Sequence, residues 1–536
     1  MEKKYLHQIA LLLLALLIGV LGTLTVVRIR ENNKIIQTRY RDWVKLNVIL
    51  NMIEENYVDT LDKKGMTDAA VTAALAQLDP HSMYLPPVDH EASVQELAGN
   101  FEGIGIQFNV PADTAIVLEV IPGGPSEKVG LLPGDRLLKV DDLVIAGVKF
   151  PQDSIVAHIK GPAGTKVLIT VKRGAEIIPF EIVRAKIPLH SVDAWFMLNS
   201  NTGYIRLSKF SRTTYEEVKE ASAKLVKQGM TRLIFDLRDN TGGYLDQALY
   251  LSNEFLPKGD TIVYIEGRAR SREVYKADGR GKMQNIALSV LISENSASSS
   301  EIFAGAIQDN DRGVLVGRRS YGKGLVQEDY PFRDGSGLRL TVARYYTPSG
   351  RCIQKPYDNY AYDIYNRYMD GEVFSADSVR LDSTDVHHTR TGRTVYGGGG
   401  IMPDVYVPMD TTLASPYYAA CNRKASMMRF ASHIFDNYTR ELRGIDNYGE
   451  MDAFFSRIGI DNRFRSYAAS VDGIKPSSEK EWQETLKYLG PQLRALVSRY
   501  SPLGENAFYK YYLPVDDVVE QALKATSNPT ELRTGR

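Results

Sequence analysis

The first apolar feature of the chain is a run from Ile9 to Val27, 19 residues without a charge, preceded by Lys3 and Lys4. At a rise of about 1.5 Å per residue, such a helix nearly spans a hydrocarbon core of about 30 Å. The lysines before it favour a cytoplasmic N-terminus, and Arg28 and Arg30 beyond it weaken that bias. The run is read as a transmembrane signal anchor over residues 1–30, ahead of a cleaved signal peptide, because it is long and no A-x-A site closes it. The rest of the chain is then expected outside the cytoplasm, on the periplasmic side of an inner membrane, in a single-pass arrangement. No cysteine follows the run, which excludes a lipoprotein anchor.

Beyond the run the periodicity changes three times. Over residues 31–98 it is helical: Val44, Leu46, Ile49, Leu50, Ile53 and Tyr57 approximate an apolar stripe. A short helix near Ala69–Leu78 leads into the turn Asp79-Pro80-His81-Ser82, where His81 is read as a locally bonded turn residue. Over residues 99–186, short β-rich runs alternate with glycine turns, as in AIVLEVI and KVLITVKR, predicting a compact β domain. From 187 to 410 strands alternate with helices. Strands are predicted at GYIRLSKF, TRLIFDLR, TIVYIEG, LSVLISE, GVLVGR and GLRLTVARYYT, and helices near Tyr215–Lys227, Tyr244–Phe255 and Ser299–Asp309. The fold class is therefore multi-domain α/β: an α/β core with an inserted β domain and helical regions at both ends. Residues 354–400 read as polar, glycine-rich loop, and 411–536 as mostly helical with a polar tail.

Composition narrows the chemistry. Lys plus Arg and Asp plus Glu each number 65, which gives no reason to expect nucleic acid as a partner. The two cysteines, Cys352 and Cys421, allow one disulfide or none, and no Cys/His cluster has zinc spacing. G-x-S-x-G and H-E-x-x-H are absent, and Gly397–Gly400 lacks the lysine and spacing of a phosphate loop. Neither a metal nor an organic cofactor is called for.

One segment does carry chemistry. The strand LSVLI runs into a serine cluster and then a helix beginning near Ser299. This places a hydroxyl at a helix N-terminus, where unpaired N–H groups can stabilise an oxyanion. Ser298-x-x-Glu301 is equally a capping box, and on that pattern alone plain capping is favoured. Lys323 changes the balance. A serine needs an adjacent base, and histidines are absent between His190 and His387. Lys323 stands in the turn Tyr321-Gly322-Lys323-Gly324, and burial could bring its amine towards neutrality. Gln327, four residues on, falls on the same face of a strand and could orient that amine. The paired glycines Gly242 and Gly243, after the strand LIFD, offer further amide donors.

These residues resemble the C-terminal processing peptidases, or tail-specific proteases, a family of serine peptidases with a Ser–Lys dyad. The matching blocks are FEGIGIQF, Phe101–Phe108; IFDLRDNTGGYL, Ile234–Leu245; and SASSSEIFAGAIQD followed by YGKGLVQ, which sets Ser298 and Lys323 25 residues apart. The resemblance runs from about Leu46 to about Val407. It implies Ser298 as nucleophile, Lys323 as general base and Gln327 as the residue holding the lysine. Gly242 or Gly243 and the Ser299 N–H are the implied oxyanion donors, with Glu301 and Asp309 in support. Ser299 stands where the family usually has alanine. The resemblance also implies that residues 99–186 are a PDZ domain whose Gly103-Ile104-Gly105-Ile106 loop captures a terminal carboxylate. The expected partners are proteins or peptides with apolar C-termini. A homodimer through the helical ends is a weaker expectation, and the need for an activating partner stays open. A catalytically silent PDZ scaffold is the alternative reading.

Overall fold

The computed structural model describes residues 19–20, 22–23, 44–110, 113–121, 123–358, 360–410 and 415–527. They divide into two compact units, Met1–Ala74 and Leu75–Arg536. In the first, residues 44–56 are helical and carry Lys45, Glu54 and Glu55 among their apolar positions. Among the described residues no helix is long and apolar enough to cross a membrane. That finding corrects the expectation of a single-pass membrane anchor; most of Ile9–Val27 lies outside the described residues.

In the second unit, residues 99–186 do form a β domain. Five strands hydrogen-bond in the order Ile106–Asn109, Ala115–Val120, Arg136–Val140, Lys166–Arg173 and Glu176–Val183, and Leu143–Val144 pairs with the third. Alternation builds its core: Val167, Ile169 and Val171 point inward from one strand, to pack with Ile104, Leu137, Ile155 and Ile182. Ile106–Asn109 lies at one edge of this sheet. The chain enters and leaves the domain through a two-stranded ribbon, Asn100–Gly103 against Ala185–Pro188.

The central frame is a six-stranded sheet in the order Val192–Met197, Thr202–Leu207, Arg232–Asp236, Ala287–Ile292, Val314–Gly317 and Val405–Tyr406. The first pair is antiparallel and the others parallel. Such strands are buried on both faces, and the sequence accordingly runs apolar without a break at Leu233–Phe235, Val290–Ile292 and Val314–Val316. Leu233, Phe235, Val290 and Ile292 face the helices Thr214–Lys227, Leu245–Phe255 and Ser299–Asp309. Ile234, Leu291, Val314 and Val316 face the opposite way, onto Val518, Val519, Ala522 and Ala525 of the helix Asp517–Ser527. The C-terminal helix therefore completes the core. An ion network reinforces it: Arg238 bridges Asp236 at 2.7 Å and Asp516 at 2.8 Å, and Arg206 reaches Asp236 at 3.2 Å. Burial alone would raise the Asp236 carboxyl, but the Arg238 and Arg206 guanidiniums hold it at about 2.

Two sequence expectations change, and the choice left open for the cysteines is made. Val192–Met197 is a strand that the sequence reading did not single out. Residues 354–400 are not plain loop: they contain the helix Asp363–Met369 and the hairpin Val386–His388/Thr394–Tyr396. Cys352 and Cys421 are both free thiols.

Candidate active site

At the end of the strand Ala287–Ile292 the chain turns sharply before the helix Ser299–Asp309. Ser298 is the turning point, with φ 55° and ψ −114°. A β-carbon residue held there stores roughly 1–3 kcal/mol of backbone strain, a pattern that points to a functional position. The neighbouring serines are occupied elsewhere. Ser296 Oγ donates to the Leu237 carbonyl at 2.7 Å, and Ser300 Oγ to that of Asn240 at 2.8 Å. Ser299 Oγ donates to the Gly243 carbonyl at 2.9 Å, and all three side chains are buried. Ser298 alone of the four is partly exposed, and it lines a cleft of about 1710 Å³.

The capping-box pattern is built on its acidic side, since Glu301 Oε2 accepts the Ser298 N–H at 2.9 Å. Glu301 does more than cap. Fully buried, it also accepts from Lys323 N at 2.9 Å, Gly322 N at 2.7 Å and Ser320 Oγ at 2.5 Å. One carboxylate thus ties the serine turn to the lysine turn. Burial pushes its carboxyl up, against the pull of those four donated bonds.

Lys323 lies in the loop before the strand Leu325–Pro331, not within a strand. The same-face argument for Gln327 therefore does not hold as stated, yet the contact forms: Lys323 Nζ donates to Gln327 Oε1 at 2.8 Å. Gln327 Nε2 in turn donates to the His81 carbonyl at 2.7 Å. Burial first, then the Arg339 guanidinium, lowers the Lys323 amine to about 8, against the opposing charges of Glu301 and Asp79.

The turn bearing His81 is local as expected, since Asp79 accepts from the amides of His81 and Ser82. Its carbonyl is nonetheless the anchor for Gln327. A contact across 246 residues leaves no local signal, and the sequence reading missed it.

Gly242 and Gly243 reach the same cleft as Ser298, Ser299, Lys323 and Gln327. They are not equivalent. Gly242 N–H donates to Asn240 Oδ1 at 2.9 Å, an Asx-type turn that the motif could have suggested. Among the described residues the Gly243 N–H takes no such partner, which leaves it the freer of the two amides. Gly242 matters through its missing side chain. At φ +99° a Cβ there would lie 2.8 Å from Ser298 Cβ and 2.9 Å from Ser299 N. Gly242→Ala is expected to lower stability by at least about 2 kcal/mol and to displace Ser298. A thermal melt and a turnover assay check this; wild-type values in both would refute it.

Two groups of predicted residues lie away from the cleft. Asp309 sits at the far end of its helix in a fully buried ion pair with Arg351 at 2.7 Å, and accepts the Ser349 N–H at 3.0 Å. Gly103, Ile104, Gly105 and Ile106 belong to the β domain, where Ile104 is buried and Gly105 has φ +74°. Among the described residues no group of three or more His, Cys, Asp or Glu could hold a metal ion.

Comparison with known proteins gives the family. The sequence model of peptidase family S41 matches residues 201–364, and that of the PDZ domain residues 103–183. A CtpA-like serine protease of Staphylococcus aureus strain N315 is 33% identical over 349 residues, covering 63% of this chain and 70% of that protein. The carboxy-terminal processing protease CtpA of Bacillus subtilis strain 168 is 32% identical over 356 residues, 65% of this chain and 76% of that one. Among solved structures, the photosystem II D1 C-terminal processing protease is 26% identical with a TM-score of 0.38, covering 68% of this chain and 86% of that one. The chain belongs to peptidase family S41, as a serine-type carboxy-terminal processing protease with a PDZ domain.

Proposed function

We propose that this protease works through a Ser–Lys dyad. Neutral Lys323 takes the proton of Ser298 as Oγ attacks a peptide carbonyl, and the N–H groups of Gly243 and Ser299 receive the oxyanion. Protonated Lys323 then gives its proton to the leaving amine. Water, deprotonated by the Lys323 amine, attacks the acyl-enzyme; the bond to Ser298 Oγ breaks, Lys323 returns the proton to Oγ, and the new C-terminal acid leaves. Gln327 holds the amine throughout, and Glu301 and Asp309 keep the supporting turns and helix in place.

The observation that carries this reading is the buried, downshifted amine of Lys323 in one cleft with Ser298, the partly exposed serine at a strained helix start. An ordinary lysine is protonated at neutral pH and cannot accept a proton.

The PDZ domain supplies selection. The substrates proposed are proteins ending in an apolar tail. The terminal carboxylate would meet the amides of the Gly103–Ile106 loop, and the tail would add as a strand to the free edge at Ile106–Asn109.

The sign of the pH dependence follows. With its value at about 8, about one Lys323 in ten is neutral at pH 7 and about nine in ten at pH 9. The rate at which a fluorophosphonate modifies Ser298 should rise about tenfold across that interval. A rate that stays level from about pH 6 to pH 9 would remove lysine as the base.

A further inference from the structure

Behind the lysine turn lies a cluster that the proposed mechanism does not use. Tyr360 is 7% exposed, and its hydroxyl meets His81 Nε2 at 2.6 Å, with the two rings edge to face at 5.2 Å. Lys355 is held between the Tyr321 and Tyr360 rings, at 3.7 and 4.2 Å from their centroids, and pairs with Asp363 at 3.0 Å. The same segment grips the lysine turn itself. Lys355 N donates to the Gly322 carbonyl at 3.0 Å, and Gly324 N donates to Gln354 Oε1 at 2.9 Å.

We propose that Tyr360 is a positioning residue for the general base: its hydrogen bond with the His81 ring fixes the His81 carbonyl, which holds Gln327 and through it the amine of Lys323. The inference rests on Lys323 being that base.

Every link is short. Tyr360 Oη to His81 Nε2 is 2.6 Å, the His81 carbonyl to Gln327 Nε2 is 2.7 Å, and Gln327 Oε1 to Lys323 Nζ is 2.8 Å. The other side of the His81 turn is already fixed. Asp79 accepts from the Ser82 hydroxyl at 2.6 Å and from Thr341 Oγ1 at 3.0 Å, so the ring is the remaining handle on the carbonyl. The ring stays neutral: burial and then the Lys323 charge lower it to about 4, with Lys355 acting in the same direction and Asp79 against. A neutral imidazole can both donate and accept, so it can pair with a phenol at the pH of the reaction. The charged or titratable groups around Lys323 are Arg339, Glu301, Asp79 and His81. Besides His81, the Tyr360 hydroxyl meets the side chains of Tyr321 and Gln354, so the comparison with the His81→Leu background is what isolates the His81 link.

The test uses the full chain as wild type, Tyr360→Phe, His81→Leu and the double variant. The readouts are kcat and KM on an unfolded protein with an apolar tail, the pH dependence of fluorophosphonate labelling at Ser298, and thermal melting. Tyr360→Phe should lower kcat about fivefold to tenfold, the worth of one hydrogen bond in a transition state, with KM within about twofold. A loosened Gln327 admits water to the ammonium, so the labelling midpoint should rise from near pH 8 towards the ordinary lysine value. In the His81→Leu background, Tyr360→Phe should cost nothing further. If His81→Leu does not fold, the midpoint of Tyr360→Phe decides alone. A wild-type midpoint near pH 8 that Tyr360→Phe leaves in place overturns the inference while sparing the dyad. An equal further loss in the His81→Leu background overturns it too. A level wild-type profile overturns both.

Discussion

Ser298→Ala is expected to reduce peptide-bond cleavage by more than about 10⁴-fold while leaving the fold intact. The side chain is partly exposed and carries no part of the core, so its loss removes a nucleophile rather than a packing group. The neighbouring hydroxyls cannot substitute. Ser296, Ser299 and Ser300 are buried and donate to the carbonyls of Leu237, Gly243 and Asn240. Lys323→Ala should cost nearly as much, because a serine hydroxyl without an adjacent base attacks poorly at neutral pH. The informative measurement is the double variant. Residues that act as one unit are grossly non-additive, so Ser298→Ala with Lys323→Ala should be no slower than the worse single variant. Losses that multiply would mean that the two residues act in separate steps, and the dyad would fall. Matching circular dichroism and melting curves guard against unfolding as the cause.

The proposed dyad draws on a local signal. A serine cluster between a strand and a helix, and a lysine between two glycines, are patterns that short sequence windows hold. Contacts across distant segments left no such mark. Glu301 could be read as a capping residue, and it is one, but its bonds to Ser320, Gly322 and Lys323 depend on how the next strand returns. The His81 turn was correctly seen as local in its Asp79 bonds, while its carbonyl serves Gln327. The helix Asp517–Ser527 illustrates the same limit. Val518, Val519, Ala522 and Ala525 show helical spacing, but nothing in that spacing says they cover the back of the sheet. The Ile9–Val27 run is the opposite case, a strong local pattern that led to a membrane anchor which no described helix supports. Lys323 lies between these extremes: the expected partner was right and the assumed strand was wrong, since a loop can bring Nζ to the same glutamine.

Glu301→Ala should be the most damaging change outside the dyad. The carboxylate is fully buried and receives four hydrogen bonds, three from backbone amides and one from Ser320 Oγ. Alanine would leave those donors facing a void with no acceptor, and each stranded donor costs roughly 1–3 kcal/mol. Partial relaxation and a trapped water reduce the sum, so a loss of about 4 kcal/mol is expected. Activity should fall further than stability explains, because the Ser298 and Lys323 turns lose the group that holds both. Glu301→Gln separates the two effects. Its carbonyl oxygen can still accept, but its amide nitrogen would meet N–H donors where the second carboxylate oxygen now accepts. The glutamine variant should therefore recover part of the stability and little of the turnover. Chemical denaturation and turnover on the same preparations read both quantities. If Glu301→Ala melts like the wild type, the four bonds do not carry the weight given to them here. If Glu301→Gln restores full turnover, the negative charge has no part in positioning the dyad, and geometry alone suffices.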